Sequence, residues 1–451
     1  MSDSTWSTRG RPSQIKMKRF FIIGLFLLIA SSAHAGLTTA VRSFTWLGAD
    51  VATTTYDVDF DCVPKFGILI YTGISTSTID AIETATIATA RGASVGFFTS
   101  SASRRAVAYT SDDAAAAAAL AVSVRSDSVF TRSGSTGRLD VDAEANWPAT
   151  DTVRFIVDNQ GTGDKRISAF VVCGTDITAQ AVGTITEPGV TGDQDTALGL
   201  TPTGVLLASV GFPTINSSSG SQGMFMLSCV DGTRSWVTYM GGDDGALTMD
   251  NVSYAKTAQA VALGPEPAVT LDAEATGSFS GTNLRLNWAT QTAAVRLLIY
   301  LAWAGGQFRC DSTTTATDTN AFSQTGFGFQ PVGGFYASAG RAASTASTPT
   351  AHAQISLGAA DGTAQVAHAS EDEDATLAAE IASAIEYDNV YINIDVTGQT
   401  ILALCALTTF DVGGQTFTCS DAETTGSLLG TANWGATAAA ATRRRSAPII
   451  F

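Results

Sequence analysis

Apolar positions in this chain fall in short runs that alternate with small polar residues, and few segments repeat at helical spacing. Val95-Gly96-Phe97-Phe98-Thr99, Val153-Arg154-Phe155-Ile156-Val157 and Val390-Tyr391-Ile392-Asn393-Ile394 each have the length and β-branched or aromatic content of a strand. Gly, Ser, Thr and Asp break the runs, which predicts antiparallel sheets joined by tight turns. Asp231-Gly232 and Asp361-Gly362 lie between such runs and predict hairpins, on the expectation of a type I′ turn with positive φ at both central residues. Helix is a minor expectation. Asp113 stands where it would cap Ala114 to Leu120, and Leu377 to Ile385 is a second helical candidate.

The pattern repeats roughly every 130 residues, the sign of a tandem array rather than one large domain. A proline, an apolar strand and a small-residue turn recur as Pro64 to Tyr71, Pro202 to Ser209 and Pro331 to Ser338. Further matches keep the same order, among them Ile167 to Cys173, Arg296 to Trp303 and Ile401 to Leu407. The fold class expected is all-β, with three tandem antiparallel β-sandwich, jelly-roll-like modules of about 130 residues, each long enough for its own core. The expected organisation is 1–35 as a signal peptide or N-terminal extension, modules over 37–181, 182–306 and 307–434, and a tail over 435–451. The segment leading into each proline reads as four copies, starting near Phe44, Val182, Gln307 and Gln415. The fourth is expected either to close the third module or to complete a strand edge on a neighbouring subunit.

Charge narrows the partners. The formal net charge is −16, with only 15% charged residues. Such a field opposes binding to nucleic acid or anionic lipid. The exception is the tail, where Arg443-Arg444-Arg445 precede Ile449-Ile450-Phe451, a basic patch and apolar tip that could dock. Near the other end, Met17-Lys18-Arg19 precede the apolar Phe20 to Ala30 and then Ala33-His34-Ala35-Gly36. A charged start, an apolar stretch too short to span a bilayer and an Ala-x-Ala site describe an export signal cleaved before Gly36. No stable membrane span is expected after processing, and the expected location is extracellular.

Export permits disulfides. Cys405 and Cys419 flank Asp411-Val412-Gly413-Gly414, so a hairpin turn there would face them across two strands. Cys310 reads as the repeat counterpart of Cys419, and Cys62, Cys173, Cys229 and Cys310 read as buried free thiols.

Little catalytic chemistry is written in the chain. After processing, His352 and His368 are the histidines that remain, and neither sits in a zinc or hydrolase motif. His368 reads as filler on a strand. Asp57, Asp59 and Asp61 share one strand face, as do Asp140, Asp142 and Glu144, while Asp243-Asp244 and Glu371 to Asp374 read as loops. Paired acids suit glycoside cleavage and oxygen-rich loops suit calcium, but these acids recur in equivalent repeat positions, which favours solvated faces and turns. No catalytic, cofactor or metal residues are assigned. Trp46, Trp147, Trp236, Trp288, Trp303 and Trp434 would stack on sugars if exposed, although Trp303 lies in an apolar strand.

The run Cys173-Gly174-Thr175-Asp176-Ile177, then Val182-Gly183-Thr184-Ile185-Thr186-Glu187-Pro188, Thr191-Gly192-Asp193-Gln194 and Pro202 to Leu207 resembles a module of uncharacterised tailed-phage and prophage proteins. The resemblance is sharpest over 173–212. It implies a virion-surface or tail-associated structural role and carries no catalytic residue. Phage virion proteins usually lack an export signal, so this chain departs from that pattern. The expectation is a non-enzymatic structural or display protein whose partners are other virion or surface proteins or further copies of itself. The alternative is an exported glycan-binding or adhesive surface protein.

Overall fold

The computed structural model describes residues 36–48, 50–73, 81–85, 91–100, 102–111, 121–132, 138–141, 150–159, 164–219, 222–243, 252–264, 271–291, 295–343, 352–373, 381–395 and 400–437. The export segment, the helix candidate at 114–120, Trp147 and the tail residues Arg443, Arg444, Arg445, Ile449, Ile450 and Phe451 lie outside the described residues. The fold is all-β, and among the described residues there is no helix.

The strands form three pairs of antiparallel sheets. The first pair uses β1 (Thr38–Trp46), β2 (Thr55–Asp59), β3 (Pro64–Tyr71), β4 (Ala81–Ala85), β5 (Arg91–Ser100), β6 (Ser103–Ser111), β7 (Ala121–Arg125), β8 (Phe130–Thr131), β9 (Arg138–Val141), β10 (Thr152–Asn159) and β11 (Lys165–Cys173). The second uses β12 (Ile177–Thr186), β13 (Gly192–Ala197), β14 (Gly204–Ser209), β15 (Ser217–Ser219), β16 (Gln222–Val230), β17 (Ser235–Asp243), β18 (Val252–Thr257), β19 (Val261–Leu263), β20 (Ala273–Ser280), β21 (Asn283–Thr290) and β22 (Leu297–Gly305). The third uses β23 (Gln307–Thr314), β24 (Ala321–Thr325), β25 (Gly333–Ser338), β26 (His352–Ala360), β27 (Gln365–Glu373), β28 (Ile381–Tyr387), β29 (Tyr391–Asp395), β30 (Thr400–Asp411), β31 (Gly414–Asp421) and β32 (Leu428–Gly435).

Each pair joins a large sheet to a four-stranded one. The large sheets order as β1-β11-β3-β5-β6-β7-β15, β12-β22-β14-β16-β17-β18 and β23-β32-β25-β26-β27-β28-β4, so β15 and β4 are each lent by one stretch of chain to a neighbour's sheet, and the small ones order as β2-β10-β9-β8, β13-β21-β20-β19 and β24-β31-β30-β29. The chain crosses between sheets in the same sequence each time, with one run of consecutive strands side by side in the large sheet and a second in the small sheet.

The side-chain period of two explains why the central strands are apolar on both faces. On β3, Leu69 and Tyr71 enter the core between the two sheets, while Phe66, Ile68 and Ile70 enter a different core on the other side. On β22, Leu298, Tyr300 and Ala302 face the small sheet, and Ile299, Leu301 and Trp303 face that second core. This shared core draws residues from all three large sheets. Each pair is therefore a sandwich whose large sheet is covered twice.

Three sequence expectations need correction. Residues 381–387 are not helical: β28 is held between β27 and β4, with Ala382 and Ala384 buried. Alanine's helix preference gives way where small side chains fit between packed layers. Gln415 to Cys419 is no leading strand. It belongs to β31, which lies between β24 and β30 in the third small sheet. The match to the leading segments came from a shared strand-like composition rather than a shared place. The Asp-Gly hairpins exist, but only Gly232 and Gly362 take positive φ, at +85° and +83°. Asp231 instead accepts hydrogen bonds from the Thr233 and Arg234 amides at 2.9 and 2.7 Å, an Asx-type turn.

Candidate functional site

The three sheet pairs meet along seams, and the residues with unusual chemistry gather there. At the centre, Phe66 on β3, Trp303 on β22 and Trp434 on β32 supply one ring each. Their centroids lie 5.2, 5.3 and 6.1 Å apart, and Phe308 and Phe170 pack around them. Trp303 stands opposite Gly204, and Trp434 opposite Gly333. A Cβ on Gly204 would lie 2.3 Å from the Trp303 ring, so the glycine makes room for it.

Hairpin turns clasp the leading strands in a cycle. Val41 N of β1 donates to Asp361 Oδ2 of the third pair at 2.8 Å. Cys310 N of β23 donates to Asp231 Oδ2 of the second pair at 3.1 Å. The first pair has a shorter turn with no such aspartate, and there Arg105 Nε donates to Thr184 Oγ1 of β12 at 3.0 Å.

A second cycle runs in the opposite sense. After its third strand, each pair sends out a segment to a neighbour. β15 of the second pair adds to β7 of the first, and β4 of the first adds to β28 of the third. From the third pair, Arg341 Nη1 donates to the Ser253 carbonyl on β18 of the second, at 2.8 Å. Two cycles that each return to their start mean that the three pairs close into a ring around a pseudo-threefold axis.

One disulfide reinforces this ring. All six cysteines are paired: Cys62 with Cys173, Cys405 with Cys419, and Cys229 with Cys310. The free thiols expected at Cys62, Cys173, Cys229 and Cys310 are thus absent. Cys405 and Cys419 face each other across β30 and β31, and Cys229–Cys310 joins the second pair to the third. Pairing between modules is invisible to a search for a framework within each module.

His368 is fully buried at the seam between the first and third pairs, where its Nε2 lies 2.8 Å from Ser168 Oγ, itself 2.7 Å from Ser43 Oγ. Burial pushes the imidazole down to about 3, so it is neutral and acts as a seam hydrogen-bonding group. Tyr109 Oη donates to Asp372 Oδ2 at 3.1 Å across the same two pairs. Glu371, Asp372 and Glu373 belong to β27 and not to a loop, and the first two are buried.

Asp57, Asp59, Asp61 and Asp195 serve the surface. Asp57 accepts two hydrogen bonds from Arg154 at 2.6 and 3.0 Å, and Asp195 two from Arg285 at 2.7 and 2.8 Å. These bonds hold both carboxyls below the usual range. Asp61 pairs with Arg42, and Asp59 accepts from the Asp61 amide. Asp140 lies on β9, while Asp142, Glu144, Asp244 and Asp374 lie outside the described residues. Among the described residues no cluster of His, Cys, Asp or Glu could hold a metal ion.

Trp46, Trp236, Trp288, Trp303 and Trp434 are all buried, so none of them offers a sugar-stacking face. A cleft of about 540 Å³ opens on the third pair beside Arg341, Asn393, Leu402 and Glu423. Its one acid, Glu423, already accepts hydrogen bonds from Tyr391 Oη and Ser427 Oγ. The carboxylate pair that glycoside cleavage requires is not in that lining.

No protein-family model matches the chain, and no curated protein matches it. No helix among the described residues is long and apolar enough to cross a membrane, and the three disulfides are compatible with an oxidising compartment.

Proposed function

We propose that this chain is a non-enzymatic structural or display protein, exported or carried on the surface of a phage particle. The observation that carries this reading is the use made of its chemically active groups. The five described tryptophans fill cores, the cysteines are cross-linked, His368 is sealed at a seam, Glu423 accepts from Tyr391 and Ser427, and Arg341 donates to the Ser253 carbonyl of β18. A chain with these investments favours a rigid unit over turnover. The acidic surface keeps such a unit soluble.

The test is mass spectrometry of purified particles beside the soluble and envelope fractions of the same culture. Stoichiometric recovery from particles is the expected result. Recovery only from envelope or medium removes the virion role. The adhesive reading then leads, but it needs a sugar platform other than the five buried tryptophans.

A further inference from the structure

The ring has two covalent joints and one that is not. Residues 174–176 link the first pair to the second, and Gly306 links the second to the third. Between the third pair and the first there is no peptide connection. All three leading strands begin at this same pole. Gly306 lies against Leu37 and Ile177, and a Cβ on Gly305 would strike the Asp176 carbonyl at 2.1 Å.

Asp176 spans the open joint. Its amide donates to the Gly36 carbonyl at 2.8 Å. Its Oδ2 accepts from Thr437 N at 2.8 Å and from Thr437 Oγ1 at 2.6 Å. The start of the first pair and the end of the third are thus tied to one residue of the first linker. The same carboxyl group lies against Gly36. A Cβ built on Gly36 would lie 2.3 Å from Oδ1 and 2.7 Å from Oδ2, so a side chain there would displace the carboxyl that holds Thr437. With N–Cα and Cα–Cβ bonds of about 1.5 Å, the Gly36 nitrogen is then within about 5 Å of Oδ1.

Gly36 follows the Ala33-His34-Ala35 signature.

We propose that the Ala35–Gly36 bond is a processing site and that Asp176 captures the α-amino group it releases, closing the ring. Hydrolysis by an export-associated endopeptidase adds one water across the bond. Ala35 leaves with the new carboxylate, and Gly36 keeps the nitrogen, which takes up a proton to become an ammonium. That cation forms beside Oδ1, while Oδ2 keeps Thr437. Glycine suits this position because a larger residue would push the carboxylate away from Thr437. This inference rests on the reading that the chain is exported.

The first experiment determines the start of the exported full-length protein by intact mass and N-terminal peptide analysis. The expected start is Gly36. Residues 1–35 retained overturns the export reading itself, and a start elsewhere overturns the processing site.

The second tests capture alone, on protein released at Gly36 from a cleavable fusion. The α-amine is acylated at pH 7, and its rate is read by peptide mass spectrometry, with Lys65 as internal reference. Pairing with Asp176 keeps the amine protonated. Asp176→Asn retains an acceptor for Thr437, so it is expected to fold and to accelerate acylation about threefold, equivalent to a half-unit change in pKa. Gly36→Ala is expected to give the same acceleration by displacing the Asp176 carboxyl. Equal rates in wild type and Asp176→Asn overturn capture, whatever the outcome at the cleavage site.

Discussion

Replacing Trp434 by alanine tests whether the three sheet pairs form one cooperative body. Trp434 is fully buried, and its ring lies 5.1 to 6.1 Å from Phe66, Phe170, Trp303 and Phe308. A tryptophan side chain buries about 150–250 Å², worth about 4–6 kcal/mol at 25 cal/mol per Å². Aromatic pairing adds about 0.5–1.5 kcal/mol per pair, though contacts within one cluster do not sum. The expected loss is about 5 kcal/mol. The side chain is embedded among residues of all three pairs, so the cavity cannot close by movement of one sheet.

Trp434→Phe separates volume from polarity. The Trp434 Nε1 is buried without a hydrogen-bond partner, so the phenyl ring gives up no bond, and the expected cost is below about 2 kcal/mol. Scanning calorimetry is the assay. The wild type is expected to melt in a single transition, and Trp434→Ala lower and with the transition divided. Trp288→Ala supplies the comparison, since Trp288 is equally buried but lies within the second sandwich. Its loss should lower the melting temperature without dividing the transition. Three separate wild-type transitions, or a Trp434→Ala cost below about 2 kcal/mol, would refute the shared core.

The disulfides should rank by the loop each closes. Sequence separations of 111, 81 and 14 for Cys62–Cys173, Cys229–Cys310 and Cys405–Cys419 correspond to about 4.8, 4.5 and 3 kcal/mol in the chain-entropy model, checked by urea unfolding of Cys→Ser pairs. His368 has a folded pKa lowered to about 3, against about 6.5 unfolded. Between those values the unfolded chain binds more protons, so stability falls as pH drops from about 6.5, by at most ~1.4 kcal/mol per pH unit. His368→Gln should flatten that part of a stability–pH curve relative to wild type. Arg296 donates to Glu187 and Asp272 at 2.7 Å in a buried network, and Arg296→Ala should cost about 3–5 kcal/mol in chemical denaturation. Arg285→Ala, at an exposed pair with Asp195, should leave the denaturation midpoint nearly unchanged.

What the sequence revealed was local. The strands at Val95, Val153 and Val390, the Asp-Gly hairpins and the facing of Cys405 and Cys419 follow from period-two patterning and turn residues. The seams were not legible. Phe66, Ile68 and Ile70 read as ordinary core, and nothing in their spacing says that they face another sheet pair. The partner of Cys229 lies in the next pair, and His368 gains meaning only from Ser168 on a strand 200 residues away. The buried place of Glu371 and Asp372 was hidden because acidic runs are usually solvated. In each case the missing information was which copy of the repeat lies beside which.

That information is present in the sequence in a form that periodicity does not expose. Around the axis, each pair has two facing positions on its third and last strands. They hold Phe66 and Val172 in the first pair, Gly204 and Trp303 in the second, and Gly333 and Trp434 in the third. The bulk sits on the third strand once and on the last strand twice, and the opposite residue shrinks to match. Considered alone, Gly204 and Gly333 look like weak points in apolar strands, and Phe66 like a conservative neighbour. Considered as pairs, they keep the volume at the axis nearly constant while the sequences diverge. A Gly204→Phe change in an otherwise native chain should therefore fail, because Trp303 and Phe308 already fill the space. Gly204→Phe combined with Trp303→Val copies the first pair's solution and should recover a single melting transition. Failure of the double change to recover more stability than the sum of the single changes would show that the three positions are not equivalent.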